Sequence, residues 1–237
     1  MRLKNPSMTE VCNRREVFES LLPLAGARVL ELGCGAAEVT REIAASAPGI
    51  LITALEVDRI QHEKNLAITG LSNVKFALGG AEAISAPDAS FDIALMFRSL
   101  HHVPVKSMDQ ALAEIGRVLK PGGLAYFEEP VFDGEYSEIM RVFHDEEFVR
   151  EAAFLALRRA IASGLMELVT ERFFLTPKRF RDWQQFEKKI REETHTEHRL
   201  TPAQWEVVKT RFMRSMRPEG ALFMQPLRVD LLRRPSA

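Results

Sequence analysis

A chain of 237 residues is long enough for one sizeable core, or for a core with a smaller cap. Hydrophobic residues at 46% and charged residues at 27% describe an ordinary globular protein, and a net charge of -1 excludes a broad basic field for nucleic acid or membrane, leaving only a local patch open. No apolar run approaches the roughly 20 residues of a bilayer span and no signal-peptide core opens the chain, so the cytoplasm is the expected address.

Thr9 to Leu22 places Val11, Phe18, Leu21 and Leu22 at helical spacing, which predicts a helix ending before Pro23, across the mouth of a sheet or on its side. Val29 to Thr40, V-L-E-L-G-C-G-A-A-E-V-T, then reads as strand, tight turn and helix. Its apolar run carries one acid, Glu31, and stops at Gly33 and Gly35 before helix formers begin. The glycines permit a sharp turn and let a ligand approach the main chain, and the unpaired N–H groups of the following helix favour a negative group there. A nucleotide-like cofactor fits this pattern, although glycine pairs at strand ends are also ordinary turns. The dinucleotide fingerprint G-x-G-x-x-G/A wants a small sixth residue, and the sixth here is Glu38, which argues against nicotinamide or flavin dinucleotides.

Two cysteines, Cys12 and Cys34, make no disulfide framework, and no C-x-x-C or His/Cys cluster suggests a metal. With no basic partner beside it in sequence, Cys34 reads as a small residue filling the turn rather than a reactive thiol.

Ile50 to Val57 is near-continuously apolar, as a parallel strand covered on both faces is, and it ends in Glu56. An acid at that tip sits where doubly wound folds hold ribose hydroxyls, since one carboxylate accepts from both. The plain alternative is a solvated strand-end charge, and Asp58 competes for the role. Arg59 to Thr69 reads as a helix, Asn73 to Leu78 as a third strand followed by Gly79-Gly80-Ala81-Glu82, and Phe91 to Phe97 as a fourth strand. The loop Arg98 to Val103 carries His101 and His102. Asp109 to Leu119 is helical, and Leu124 to Glu128 is a fifth strand after a Pro-Gly-Gly turn. This alternation predicts an α/β, doubly wound, Rossmann-like and mostly parallel sheet with ligands outside the carboxyl ends of its strands. Gly33, Gly35, Glu56, Ala81, Phe97, His101 and Glu128 all fall on that edge.

The ordered set V-L-E-L-G-C-G (29–35), I-T-A-L-E-V-D (52–58), N-V-K-F-A-L-G-G-A-E (73–82), F-D-I-A-L-M-F-R-S-L-H-H-V (91–103) and R-V-L-K-P-G-G (117–123) resembles class I S-adenosylmethionine-dependent methyltransferases, in particular the small-molecule type of quinone biosynthesis. The resemblance implies about seven strands, the last antiparallel, with S-adenosylmethionine across the strand tips and S-adenosylhomocysteine as product. It implies that Gly33 and Gly35, with Cys34 between them, approach the methionine and sugar, that Glu31 orders the turn and that Glu56 binds the ribose. Val57 would pack on the adenine, Ala81 and Glu82 would border its edge, and Phe97 would lie beside the methionine. Two departures stand out. Gly80 occupies the place of a usual Asp that accepts from the adenine amino group, leaving Glu82 or packing alone to replace it, and Ala37 replaces a frequent glycine. On this reading Gly33→Val abolishes binding and leaves a folded protein.

Beyond Phe132 the rhythm turns helical. Ser137 to Ser163 is amphipathic, and Phe180, Trp183 and Ile190 recur at helical steps, as do Trp205, Val208 and Phe212, which reads first as packing of a cap and second as a substrate cage. Strand six falls at Glu193 to Leu200 or at Leu168 to Leu175. Gly220 to Leu232 is the expected final strand, with Pro226 at a bulge or an unpaired edge. The organisation expected is an N-terminal helical segment (1–24), a cofactor-binding core (25–132), a helical cap possibly including strand six (133–219), and a final strand returning to the sheet (220–237).

The expected reaction is in-line transfer of a methyl group to an O, N or C nucleophile of a small molecule, with no nucleic acid, no membrane span and no metal. An imidazole suits deprotonation of a hydroxyl acceptor, so His101 and His102 are candidate bases, though a loop histidine bonded to backbone is the simpler account; His195 and His198 are weaker candidates. Arg98, His101, Glu128 and Glu129 are candidate acceptor contacts. The competing function is a cofactor-binding module without catalysis or dependent on a partner subunit, and a nicotinamide oxidoreductase comes third. The acceptor and the oligomeric state are not written in the sequence.

Overall fold

In the computed structural model, which describes residues 1–192 and 200–236, the strand-and-turn rhythm closes into one sheet. Its strands are β1 (Arg28–Leu32), β2 (Leu51–Glu56), β3 (Val74–Leu78), β4 (Phe91–Phe97), β5 (Leu119–Pro130), β6 (Glu167–Phe180), a two-residue β7 (Met216–Arg217) and β8 (Gly220–Arg233). Their order across the sheet is β3-β2-β1-β4-β5-β8-β6, with β7 paired to β8. Neighbours from β3 through β5 are parallel, and β8 is antiparallel to β5 and to β6. The chain steps from β1 outward to β3 and then back across to β4, so the direction of winding reverses between β1 and β4. That crevice is where open α/β sheets take their ligands.

Period-two alternation decides which side chains face which layer. Leu30, Leu32, Ala94, Met96, Ala125 and Phe127 point to one face, covered by α4 (Met108–Val118) and α6 (Glu147–Ala162). Val29, Ile93, Leu95, Phe97 and Tyr126 point to the other, covered by α1 (Arg14–Leu21) and α2 (Glu38–Ala44). Burial on both faces is why these strands read as apolar runs rather than alternating ones. In α4 the stripe Met108, Ala111, Leu112, Ile115 and Val118 is wholly buried, as its helical spacing requires. A capping box between Asn13 and Glu16 opens α1, and the chain leaves it at Leu22, just ahead of Pro23.

In the second half of the chain the structure decides one alternative and corrects two expectations. Strand six is β6, which contains Leu168 to Leu175; the alternative at Glu193 to Leu200 lies, apart from Leu200, outside the described residues, as do His195 and His198. Residues 133–219 thus contain strand six, and β6 runs within the core sheet. The stretch Ser137 to Ser163 is two helices, α5 (Gly134–Met140) and α6, since the charged turn at 141–146 interrupts its apolar stripe. Pro226 sits in an interior strand opposite Leu175, not on an edge. Its carbonyl receives Val131 N–H just past the end of β5 at Pro130, so the donor that proline lacks falls where the β5 ladder has stopped.

β6 and β8 are long, and their far ends carry a separate aromatic cluster with α5, α7 (Trp183–Glu192) and α8 (Pro202–Arg214). Phe180, Phe186, Phe212 and Phe223 are buried there, with Phe186 and Phe212 ring centroids 4.8 Å apart. The aromatics noted in the sequence pack on one another, which is the first of the two readings given above.

Candidate functional site

The turn after β1 is pinned over the end of β2: Gly33 and Cys34 N–H both donate to Leu55 O, at 2.9 and 3.0 Å. The two glycines then differ. Gly33 has φ +74°, and a Cβ there would stand 2.7 Å from Ser99 Cβ, at the tip of β4. Ser99 Oγ in turn donates to Leu32 O at 2.8 Å. Gly33 is thus a packing requirement between β1 and β4, and a valine there would strike protein before it met any ligand; the expectation of a folded Gly33→Val is corrected. Gly35 has φ +52° and nothing within 4 Å of its Cβ direction, so Gly35 is the place where the backbone stands open.

Glu56, buried at the tip of β2, joins this turn from a distant part of the sequence. Its Oε2 accepts from Gly35 N–H at 2.7 Å, and its Oε1 accepts from Val57 and Asp58 N–H at 2.8 and 2.9 Å. Asp58, the competitor for the ribose role, is occupied otherwise: its Oδ1 caps α3 (Arg59–Leu66) through Ile60 N–H at 2.9 Å. Asn65 of α3 was not singled out in the sequence, yet it is fully buried and donates to Gly35 O at 2.7 Å and to Cys34 Sγ at 3.5 Å. The helix carries two amides, Gln61 and Asn65, and Gln61 donates to Asn65 Oδ1 at 2.9 Å. Burial pushes the Cys34 thiol far up, which fits a packed side chain and not a nucleophile. Ala37, ahead of α2, keeps the left-handed conformation (φ 58°) that a glycine adopts freely, at a cost of roughly 1–2 kcal/mol.

Beside this turn Val57 is 64% exposed, an apolar side chain with no protein to cover it, and Ala81 is buried nearby in sequence order after β3. A Cβ on Gly80 would lie 2.5 Å from Glu82 Oε2. The Glu82 carboxylate therefore fills the space in which a side chain at position 80 would start.

The other half of the edge, around β4 and β5, is more densely charged. Phe97 packs beneath α1, 6.1 Å from Phe18 and 5.2 Å from Tyr126 between centroids. Arg98 has φ 54°, a left-handed conformation for a bulky residue that costs about 1–3 kcal/mol and concentrates at functional sites. Its N–H donates to Glu128 O at 2.6 Å. Burial lowers the Arg98 guanidinium pKa, the Arg14 charge lowers it further, and Glu128 raises it. Arg14 Nε donates to Glu128 Oε1 at 2.8 Å; Glu128 Oε2 is buried with no hydrogen-bond partner among the described residues, and the same is true of Glu31 Oε2 on β1. Burial pushes the Glu31 carboxyl up to about 7.

Glu129, next along β5, is tied elsewhere. Its Oε1 accepts from Leu100 N–H at 2.9 Å and its Oε2 from His101 Nδ1. His101 is buried, with Nε2 3.6 Å from Glu146 Oε1, so both ring nitrogens of this candidate base face carboxylates. His102 is exposed and stacks on His101 with centroids 4.1 Å apart. Glu129 and His101 are built into the scaffold, whereas Glu128 Oε2 keeps unspent polar capacity.

Strand order, winding reversal, glycine turn and strand-tip acid together define a nucleotide-type ligand crevice of class I methyltransferase architecture. Residues 29–123 match the methyltransferase-domain family, and the strand order is that of the class I methyltransferase fold. Among its relatives, a 27-O-demethylrifamycin SV methyltransferase of Amycolatopsis mediterranei is 35% identical over 108 residues, 44% of this chain and 39% of that protein. An O-methyltransferase of Aspergillus nomiae is 31% identical over 139 residues, 55% of this chain and 60% of that one. The chain thus spans less than two thirds of these relatives. The YcgJ protein of Bacillus subtilis shares the fold, with TM-score 0.65 over 94% of this chain and 98% of that one at 17% identity. No helix among the described residues is long and apolar enough to cross a membrane.

Proposed function

We propose that this chain binds S-adenosylmethionine along the carboxyl edge of its sheet and transfers the activated methyl group to a small-molecule acceptor. The carrying observation is the meeting of Glu56 with Gly35: a buried strand-tip carboxylate holds the amide of the one turn glycine whose side-chain direction is open. Three of the roughly four acceptor sites of the Glu56 carboxylate are taken by amides, which leaves one on Oε2 for a ribose hydroxyl. Val57 offers an apolar surface for the adenine face, and Ala81 with Glu82 borders its edge; Glu82 stands in for the missing acid at position 80. At the methionine end, Phe97 lines the floor, the orphaned oxygens of Glu31 and Glu128 suit an ammonium, and Arg14 with Arg98 suits a carboxylate.

When bound, the cofactor supplies a methyl group already activated by its sulfonium. The chain then has to exclude water and align the acceptor with the methyl–sulfur bond, which positioning accomplishes without a dedicated base. Acceptor contacts fall to Arg98 and Glu128 and to the segment 133–219, with the aromatic cluster of β6, β8, α5, α7 and α8 as the cap that encloses it. The two relatives described above are O-methylating enzymes, which supports an oxygen nucleophile, while sterol 24-C-methyltransferases of similar identity keep a carbon acceptor as the second reading.

Calorimetric titration with S-adenosylmethionine and with NAD tests the cofactor, and transfer of a labelled methyl group to a fractionated small-molecule extract tests the reaction. Preferential NAD binding overturns the proposal at its first step. Tight S-adenosylmethionine binding with no labelled product in any fraction favours the non-catalytic binding module instead.

A further inference from the structure

We propose that His101, His102 and Glu146 form a site for a first-row divalent transition ion, with zinc as the natural occupant. The three residues come from a turn after β4 and from the start of α6, and their ligand atoms all lie within 4.8 Å of one another. His101 and Glu146 are buried, while His102 is exposed and gives an ion a way in from solvent.

The central observation is the gap between His101 Nε2 and Glu146 Oε1. At 3.6 Å it is too wide for a hydrogen bond. Two donors bound at about 2.0–2.2 Å to one tetrahedral ion stand roughly 3.3–3.6 Å apart, so the gap has the width that an ion fills. Glu129 Oε2 pairs with His101 Nδ1, which fixes the ring with Nε2 toward Glu146, the nitrogen an ion would take. The buried carboxylate facing this nitrogen is balanced by positive charge at Nε2, a proton in the metal-free protein and the ion when one is bound.

The surrounding shell is also that of a built site. Glu146 Oε2 receives Arg150 Nη2, and Oε1 pairs with His144 Nε2 at 2.8 Å. Each buried ligand thus has its own orienting partner: Glu129 for His101, and His144 with Arg150 for Glu146. Metal-binding histidines and carboxylates are held this way. Two imidazoles and one carboxylate select zinc and its neighbours over magnesium or calcium, which prefer all-oxygen shells. Three protein ligands leave a fourth position for an exchangeable ligand. In the sequence nothing announced this, because Glu146 is distant from the histidine pair and the spacing matches no metal motif.

The test uses the untagged full chain, stripped with a chelator and titrated with Co²⁺ in the absence of S-adenosylmethionine, so its result is separate from the methyl-transfer reading. One equivalent should bind with visible d–d absorption of a tetrahedral nitrogen–oxygen site, and Zn²⁺ should displace it. His102→Ala, an exposed change that leaves the fold intact, and Glu146→Gln should each weaken binding at least tenfold; Glu129→Gln, acting through His101, should weaken it by about 10-fold or more. No cobalt absorption in the wild type overturns the site. So does undiminished binding by His102→Ala, which would put the ion elsewhere, for example at His195 and His198.

Discussion

The two halves of the strand-tip edge are built on opposite principles. Around β1, β2 and β3 the polar groups are few and each is aimed at a short backbone turn: Glu56 on Gly35, Asn65 on Gly35 and Cys34, and Glu82 over Gly80. Around β4 and β5 the polar groups mostly satisfy one another, as Glu129 does with His101 and Leu100, and Arg14 with Glu128. A half that keeps its backbone open is suited to a ligand of fixed shape, and a half that is internally paired sets the geometry of whatever approaches it. The contrast teaches that substitutions at the open positions of the first half, Gly35 and Glu56, should be read in cofactor affinity, and those at the internally paired Glu129 and His101 of the second in stability.

The largest effect that sharpens this contrast belongs to Glu129→Ala. It strands Leu100 N–H and His101 Nδ1 in the interior and should cost about 3–5 kcal/mol in chemical denaturation, with S-adenosylmethionine affinity of the folded fraction little changed. Loss of affinity with unchanged stability breaks the comparison. The two glycines come next. Gly33→Ala meets Ser99 at 2.7 Å in a left-handed conformation and should destabilise by about 2–5 kcal/mol. Gly35→Ala has open space, so it should lose only about 1–2 kcal/mol of stability while placing a methyl group in the cofactor's path. Equal unfolding midpoints for the two variants would refute the division.

Glu31 links the halves and makes a pH prediction. Its folded carboxyl is raised to about 7 from the ordinary 4.5, so the folded protein holds this proton more tightly than the unfolded chain does. Stability from this group is therefore greatest below about pH 4.5, declines as pH rises toward 7, and is level above that, a total of about 3 kcal/mol. Glu31→Gln should flatten the decline between pH 5 and pH 8 in urea midpoints. A residual slope should remain, because burial also raises Asp230 to about 6. An identical slope in the variant shows that Glu31 is ionised in the fold.

On the ligand-facing half, Glu56→Ala should weaken S-adenosylmethionine binding by about 1.5–3 kcal/mol, as calorimetry would measure. An unchanged dissociation constant removes Glu56 from the ribose. The smallest effect is at the adenine edge. Gly80→Ala displaces the Glu82 carboxylate and should weaken binding by roughly 0.5–1 kcal/mol, with Gly80→Asp combined with Glu82→Ala recovering it. Failure of the double variant to recover affinity argues that packing, not an acid, holds the adenine.

The two halves were also unequally legible. The first was readable because its chemistry is local: two glycines one residue apart, an acid closing an apolar run, and turns of fixed length produce the same geometry wherever a parallel sheet forms. Even there Asp58 and Glu56 stood as rivals until the helix cap at Ile60 claimed Asp58, and Gly33 was read as a ligand glycine although its space belongs to Ser99. The second half was opaque because its partners are far apart in the chain. His101 meets Glu129 and Glu146, and Arg14 meets Glu128, only after β4, β5, α1 and α6 are in place. Strand six was ambiguous for a related reason: β6 is only part-buried over much of its length, so the hydrophobic signal that marks the inner strands is weak in it.

By itself the sequence determined the parallel core, the glycine turn and the carboxylate at the tip of β2, because apolar periodicity and backbone sterics act over a few residues at a time. Only the tertiary structure decided which glycine stays open, which carboxylates are already engaged, and that two histidines and a remote glutamate converge. Those are questions of distance between segments, and distance is fixed by how the layers pack.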